Sequence, residues 1–456
     1  MSVETLKPRG GTALIIACIG VLLTCMASAK VSALDSKEVV GRDFVKRILK
    51  GNYESATDMF DFKMKPAMSP SQLEQYWQGL IKQYGDFKTI GGSRSETVGE
   101  YEAVFVTCEF ASAKVELKTV IDKYNKIGGI WIVMPDGVEL PAPVELPTYV
   151  DQERFDEIGV LINRDTQWEL LGMLTMPRGE GPFPAVALVH GSGPNDRDET
   201  LGPNKPFRDI AWGLASKGIA VLRYDKRTKV YPEEMARMDD LTVKAETIND
   251  ALAAVSLLRK SDKINPKKVF VLGHSLGGML IPRIGKADPK IAGLIVLAGN
   301  TRPLEDLVLE QITYITSLSG LPVADAKKEI SKVKQQVAKV KGLKPSAKSS
   351  ASSLILGAPA SYWLDLRGYR PATMAKGLKQ PMLIAQGGRD YQVTTADFKG
   401  WKNALSKQKR VTFKFYPDLN HLFMTGVGKS TPSEYDKPGF VAQPVMDDIA
   451  AWIGAH

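Results

Sequence analysis

Apolar and polar positions change their period twice along the chain. Between 36 and 85 apolar residues recur at helical spacing, which predicts a helix opening at Ser36 and a second from about Pro70 through Leu73, Tyr76, Leu80 and Ile81 to Gly85. From 87 onward β-formers cluster or alternate at 87–90, 101–110, 113–121 and 127–134 between Gly-rich turns, the pattern of an antiparallel sheet. Helices followed by such a sheet make a small α+β domain over 34–134. Pro135, Pro141, Pro143 and Pro147 then rule out a helix or central strand, so 135–150 reads as a linker. After 157 the rhythm becomes strand, helix, strand. The segments 158–163 and 168–176 read as a hairpin, and apolar runs follow at 185–189, 219–223, 269–272, 292–297, 382–385 and 411–415. Runs without alternation belong to strands buried on both faces, so 151–456 is predicted to be an α/β domain on a mostly parallel sheet of eight strands.

The interval from 297 to 382 is too long for one crossover, which predicts an insertion over 301–376. Leu304, Leu307, Leu309, Ile312 and Ile315 stand near helical spacing behind Pro303. Ile330, Val333, Val337 and Val340 repeat at three and four residues in a second, lysine-rich helix from about 324 to 340. A Ser-rich stretch, 346–353, offers a hinge, and Tyr362 and Trp363 are available to line an apolar pocket. The expectation is a helical lid.

Composition narrows the chemistry. The hydrophobic share of 44% can bury sizeable cores in 456 residues, and the charge of +9 is interspersed with acids, the pattern of a soluble surface rather than of a nucleic-acid partner. Contact with a membrane or lipid surface stays open, as does the oligomeric state. With Cys18, Cys25 and Cys108 as the cysteines and four histidines in all, neither a disulfide framework nor a zinc site has material. Lys7 and Arg9, the apolar stretch 13–26 and Ala27-Ser28-Ala29 make 1–33 read as a signal peptide and the protein as exported. An uncleaved membrane anchor, or lipidation at Leu22-Leu23-Thr24-Cys25, are the rivals.

The run at 269–272 leads into Gly273-His274-Ser275-Leu276-Gly277-Gly278 and then a helical pattern. This is GxSxG in the strand, turn and helix context of a nucleophile elbow, where Ser275 sits in a strained turn between residues that must lack side chains. A serine hydroxyl needs a base. His274 lies inside the elbow, His190 at a strand end and His456 at the terminus, which leaves His421 in the loop after 411–415. The acid is expected earlier, after a strand. Asp390 in Gly387-Gly388-Arg389-Asp390 fits, with Glu305 and Asp306 as alternatives. Backbone N–H groups for a developing oxyanion are assigned to Leu276 and to Ser192, with Gly193 second, in His190-Gly191-Ser192-Gly193-Pro194.

These residues, with Asn195-Asp196-Arg197-Asp198 and Leu222-Arg223-Tyr224-Asp225-Lys226-Arg227, resemble bacterial carboxylesterases of the dienelactone-hydrolase-like branch of the α/β-hydrolase superfamily. Residues 34–134 resemble, in pattern alone, the cone-shaped α+β modules of the ketosteroid-isomerase-like superfamily. The resemblance implies an α/β-hydrolase fold and a carboxylesterase with Ser275, Asp390 and His421 as triad, acting on a small-molecule ester with no cofactor and no metal. Thr228 stands where many relatives have glycine, which questions the local turn. Thioesterase, peptidase or acyltransferase chemistry remains open on the same triad, as does an inactive binding protein.

Overall fold

The computed structural model describes residues 36–62, 64–98, 101–133, 146–347, 350 and 352–456. The expected signal peptide 1–33, most of the expected linker and residues 348, 349 and 351 of the expected hinge lie outside the described residues. The chain divides into two compact units, one ending at Leu146 and the other resuming at Pro147. Residues 147–150 already belong to the second unit, since Tyr149 Oη donates to the Val441 carbonyl at 2.7 Å.

In the first unit the helices Ser36–Leu49 and Pro70–Tyr84 precede four antiparallel strands, β1 (Phe87–Val98), β2 (Tyr101–Phe110), β3 (Lys114–Ile121) and β4 (Ile127–Val133), in spatial order β1-β2-β3-β4. The second helix starts where the sequence places it because Ser69 and Gln72 form a reciprocal cap ahead of Pro70. Phe44, Ile48, Leu73 and Trp77 are buried against Val104, Val106 and Leu117 of the sheet. The first strand runs past Gly91-Gly92, which the sequence reads as its end. A register shift there carries the strand on, and a side chain at Gly91 would press within 3.1 Å of Thr107.

The second unit carries an eight-stranded sheet. Its strands are β5 (Phe155–Ile162), β6 (Leu170–Pro177), β7 (Phe183–Val189), β8 (Ala220–Tyr224), β9 (Ile264–His274), β10 (Leu294–Leu297), β11 (Met382–Gly387) and β12 (Val411–Tyr416), in the order β12-β11-β10-β9-β7-β8-β6-β5. Strand β6 runs antiparallel to its neighbours β5 and β8, and the seven other strands share one direction. Both faces are covered, which is why these strands lack alternation. Along β9, Val269 and Val271 join the core beneath the helices Asn249–Arg259, Leu276–Ala287 and Thr395–Leu405. Phe270 and Leu272 join the one beneath Pro206–Ala215 and Gln443–Ala455.

Between β10 and β11 lie the helices Leu304–Leu318, Val323–Gly342, Ala360–Leu366 and Pro371–Lys376. Tyr362 and Trp363 do not line an open pocket. They are core residues, with Tyr362 Oη bonded to Glu246 Oε2 at 3.0 Å and Trp363 Nε1 donating to the Ile355 carbonyl at 2.6 Å. A short helix whose apolar side faces the core hides its aromatics where an insertion open to solvent would show them. Among the described residues no helix is long and apolar enough to cross a membrane.

Candidate active site

The parallel strands β9, β11 and β12 end at one edge of the sheet, and Ser275, Asp390 and His421 each follow one of them. Ser275 has φ 54° and ψ −117°, a left-handed conformation that a serine adopts only when its surroundings enforce it. Here the Ser275 N–H is held by the Leu297 carbonyl of β10 at 2.9 Å, and the helix Leu276–Ala287 starts at once. The following turn passes so close to β7 that a Cβ on Gly277 would stand 2.2 Å from the Val189 oxygen and 2.6 Å from that of His190. Glycine there is a requirement of backbone approach.

His421 Nδ1 donates to Asp390 Oδ2 at 2.7 Å, with both side chains buried. The carboxylate is itself fixed. Its Oδ1 accepts from Gln392 N at 2.8 Å and Val393 N at 2.9 Å, and Oδ2 accepts from Gln386 Nε2 at 3.1 Å. Gly387 lets the two loops meet, because a Cβ there would stand 2.5 Å from the Leu419 oxygen and 2.6 Å from that of Asn420. The Asn420 amide oxygen then holds the histidine loop by accepting from Leu422 N at 3.0 Å and Met424 N at 3.1 Å. With Nδ1 engaged by a carboxylate, Nε2 is the basic nitrogen of His421.

The other acids do not reach this histidine. Asp306 pairs with Lys341 across the inserted helices at 2.5 Å, and Glu305 stands in the first turn of the helix that carries Asp306. Of the remaining histidines, His456 Nδ1 bonds the Trp452 carbonyl at 2.8 Å. His190 is buried between Phe207 and Tyr224, and burial pushes its pKa down to about 4, so it is neutral at physiological pH.

The turn 190–194 sits beside the serine: a Cβ on Gly191 would lie 3.2 Å from Ser275 Cβ. The Gly191 N–H is taken by Glu199 Oε1 at 2.5 Å, which leaves Ser192 as the next donor along the turn. Asn195 Nδ2 bonds the carbonyls of Gly191 at 3.2 Å and Ser192 at 3.1 Å, and buried Lys226 Nζ donates to the Gly191 carbonyl at 2.9 Å. Leu276 is the first residue of its helix, where an N–H has no partner within the helix. Thr228 is accommodated in a short helix, Arg227–Val230, with its hydroxyl 3.4 Å from the Gly193 carbonyl.

Sequence reasoning missed Glu199 and the use of His274. His274 Nδ1 meets Glu199 Oε2 at 2.8 Å, and its Nε2 donates to the His421 carbonyl at 2.9 Å. A glutamate lodged among buried groups carries no signature in spacing, although its place just after Asp196-Arg197-Asp198 was a hint. Among the described residues no group of three or more His, Cys, Asp or Glu is disposed to hold a metal ion.

Two family models match. Residues 42–130 match one described as a protein of unknown function (DUF3887), and residues 204–426 match serine aminopeptidase, S33. Esterase EstD of Thermotoga maritima is 42% identical over 410 residues, 90% of this chain and 93% of that protein. Polyketide transferase ATR5 of Stachybotrys chlorohalonatus is 27% identical over 169 residues, 36% of this chain and 52% of that one. The solved structure of Est1E from Butyrivibrio proteoclasticus is similar to 65% of this chain and 99% of its own, with 16% identity and a TM-score of 0.41. An elbow serine on a mostly parallel eight-stranded sheet, and identity with esterase EstD along nearly the whole of both chains, make this protein a member of the esterase EstD family of α/β-hydrolases.

Proposed function

We propose that this protein is a serine carboxylesterase that hydrolyses small-molecule carboxylic esters through an acyl-enzyme on Ser275. The observation that carries the reading is the buried His421–Asp390 bond at the strand edge that also presents Ser275 in its strained turn. Ser275 Oγ attacks the ester carbonyl carbon as His421 Nε2 takes the hydroxyl proton, and Asp390 holds the imidazolium that results. The tetrahedral oxyanion is received by the N–H groups of Leu276 and Ser192, donors that need no reorganisation. Collapse breaks the bond to the leaving alkoxide, which takes the proton from Nε2. Water, deprotonated by the same nitrogen, then attacks the acyl carbon and releases the acid and Ser275. The residues alone complete this cycle.

The insertion acts as the lid that sets acyl preference. Its support is that Gln311 Nε2 donates to the Gln392 carbonyl at 2.9 Å and Tyr314 Oη to that of Ser430 at 2.8 Å, so the first inserted helix rests on the loops after β11 and β12. The test is a panel of nitrophenyl esters from acetate to palmitate beside an acyl thioester and a peptide anilide. The expected result is fastest turnover on an ester, lost in Ser275→Ala, with a changed chain-length profile when 324–350 is shortened. Faster anilide or thioester turnover would displace the ester reading, and an unchanged profile would remove the lid.

A further inference from the structure

Three loops that carry the reaction's groups, the turn after β7, the elbow after β9 and the histidine loop after β12, are joined by one buried chain of hydrogen bonds in which no triad side chain takes part. It runs from Gly191 N–H to Glu199 Oε1 at 2.5 Å, from Glu199 Oε2 to His274 Nδ1 at 2.8 Å, and from His274 Nε2 to the His421 carbonyl at 2.9 Å. We infer that Glu199 and His274 are a positioning pair which sets the oxyanion turn, the nucleophile and the base in mutual register. The inference rests on the serine-hydrolase reading of this site.

The geometry fixes one ring hydrogen of His274. The His421 carbonyl only accepts, so His274 Nε2 carries a hydrogen. The Glu199 carboxyl faces Nδ1, so one further proton is shared between them. Burial works against both charges, but their attraction outweighs it: the His274 pKa lies above its ordinary value and that of Glu199 below. Glu199 also holds φ +52°, an unusual conformation for glutamate, stabilised by its N–H bonding the Asp196 carbonyl at 3.0 Å. Nearby scaffold pairs differ in what they join. Arg223 with Asp198 ties strand β8 to its neighbouring loop, at 2.7 Å, whereas the Glu199 carboxylate grips the backbone of the glycine packed against Ser275.

A shift of the oxyanion turn or of the histidine loop by about 1 Å would cost on the order of 100-fold in rate while leaving the substrate pocket in place. The pair therefore acts on kcat. Glu199→Gln keeps the frame, since the amide oxygen accepts from Gly191 N–H and the amide nitrogen donates to a neutral His274 whose Nε2–H still serves the His421 carbonyl. Glu199→Ala cuts two links.

The experiment measures kcat and KM on nitrophenyl butyrate, the rate of fluorophosphonate labelling of Ser275, and the melting temperature for the wild type, Glu199→Gln and Glu199→Ala in the full chain. The expected result is a kcat and a labelling rate about 100-fold lower in Glu199→Ala with KM within about threefold. Glu199→Gln should recover most of that loss, whatever the melting temperatures do. Where Glu199→Ala does not fold, His274→Gln, which cannot span both partners, replaces it with the same expectation. Wild-type kcat in folded Glu199→Ala or His274→Gln would overturn the inference, as would a Glu199→Gln variant that is folded yet as slow as the alanine. Absence of labelling in the wild type would instead remove the serine-hydrolase reading itself.

Discussion

Asp390→Asn tests whether the carboxylate works through charge and tautomer or merely fills space. The substitution is nearly isosteric, and the surroundings dictate how the amide must sit. Two backbone N–H groups, from Gln392 and Val393, point at Oδ1, so the amide oxygen has to occupy that position. The amide nitrogen then takes the place of Oδ2 and presents a donor to His421 Nδ1, which now stands 2.7 Å from a carboxylate. His421 answers by moving its proton to Nε2, the nitrogen that must receive the Ser275 proton. The amide cannot rescue itself through Gln386, whose Nε2 is committed to the Val393 carbonyl at 2.8 Å and to that of Gly387 at 3.1 Å. Two donors facing each other there cost about 1 kcal/mol of stability. The catalytic cost is larger. Forcing the wrong tautomer in a serine triad lowers kcat by about 10⁴-fold, a known magnitude from serine proteases, which corresponds to about 5 kcal/mol at about 1.4 kcal/mol per decade. Steady-state kinetics on nitrophenyl butyrate with a melting curve on the same sample separates the two effects. A folded Asp390→Asn enzyme within tenfold of wild-type kcat would refute the assigned role.

Gly277→Ala should prevent the elbow from closing, because its Cβ would meet the oxygens of Val189 and His190 at 2.2 and 2.6 Å and backbone cannot step aside; a loss of about 3 kcal/mol or more is expected in urea titration, and wild-type stability would contradict the packing. His190 is neutral on both sides of folding above pH 6.5, but below it the unfolded chain takes up a proton that the folded one, with a pKa near 4, refuses. Stability should therefore fall by about 3 kcal/mol between those values, and urea midpoints should show this part of the slope missing in His190→Gln; equal slopes would refute it. Export predicts a mature N-terminus at Lys30 or, by cleavage after Val31-Ser32-Ala33, at Leu34, and recovery of Met1 on membrane-bound protein would replace cleavage with anchoring.

Inner strands such as β8, β10 and β11 were legible because they bury both faces, so their residues form apolar runs that few helices imitate, and the helix–antiparallel order of the first unit followed from a clean change of period. Strand β1 was half read, since a bulge lets it continue through glycines that look like an end. Ser275 and His421 were chosen on a motif and on elimination among four histidines, and Asp390 on its place after a strand, with two other acids left as alternatives. Glu305 and Asp306 matched the same description as Asp390, and what separates them is tertiary: Asp306 answers Lys341 of the next helix, while Asp390 sits under two backbone N–H groups that only the folded turn supplies. Tyr362 was misread for a related reason, as its hydroxyl partner Glu246 lies more than a hundred positions away. Glu199 lay beyond reach altogether, since its role depends on Gly191 and His274 meeting at one carboxylate and on His274 reaching on to the histidine loop.

Covalent trapping decides whether Ser275 is the nucleophile of the ester-hydrolysing site. Wild-type protein and Ser275→Ala are treated with a fluorophosphonate, digested, and the peptides mapped by mass spectrometry. The expected result is one adduct, on the peptide containing Gly273-His274-Ser275-Leu276, together with complete loss of esterase turnover, and no adduct in Ser275→Ala. An adduct on any other residue, or full ester turnover after Ser275 is blocked, would contradict it.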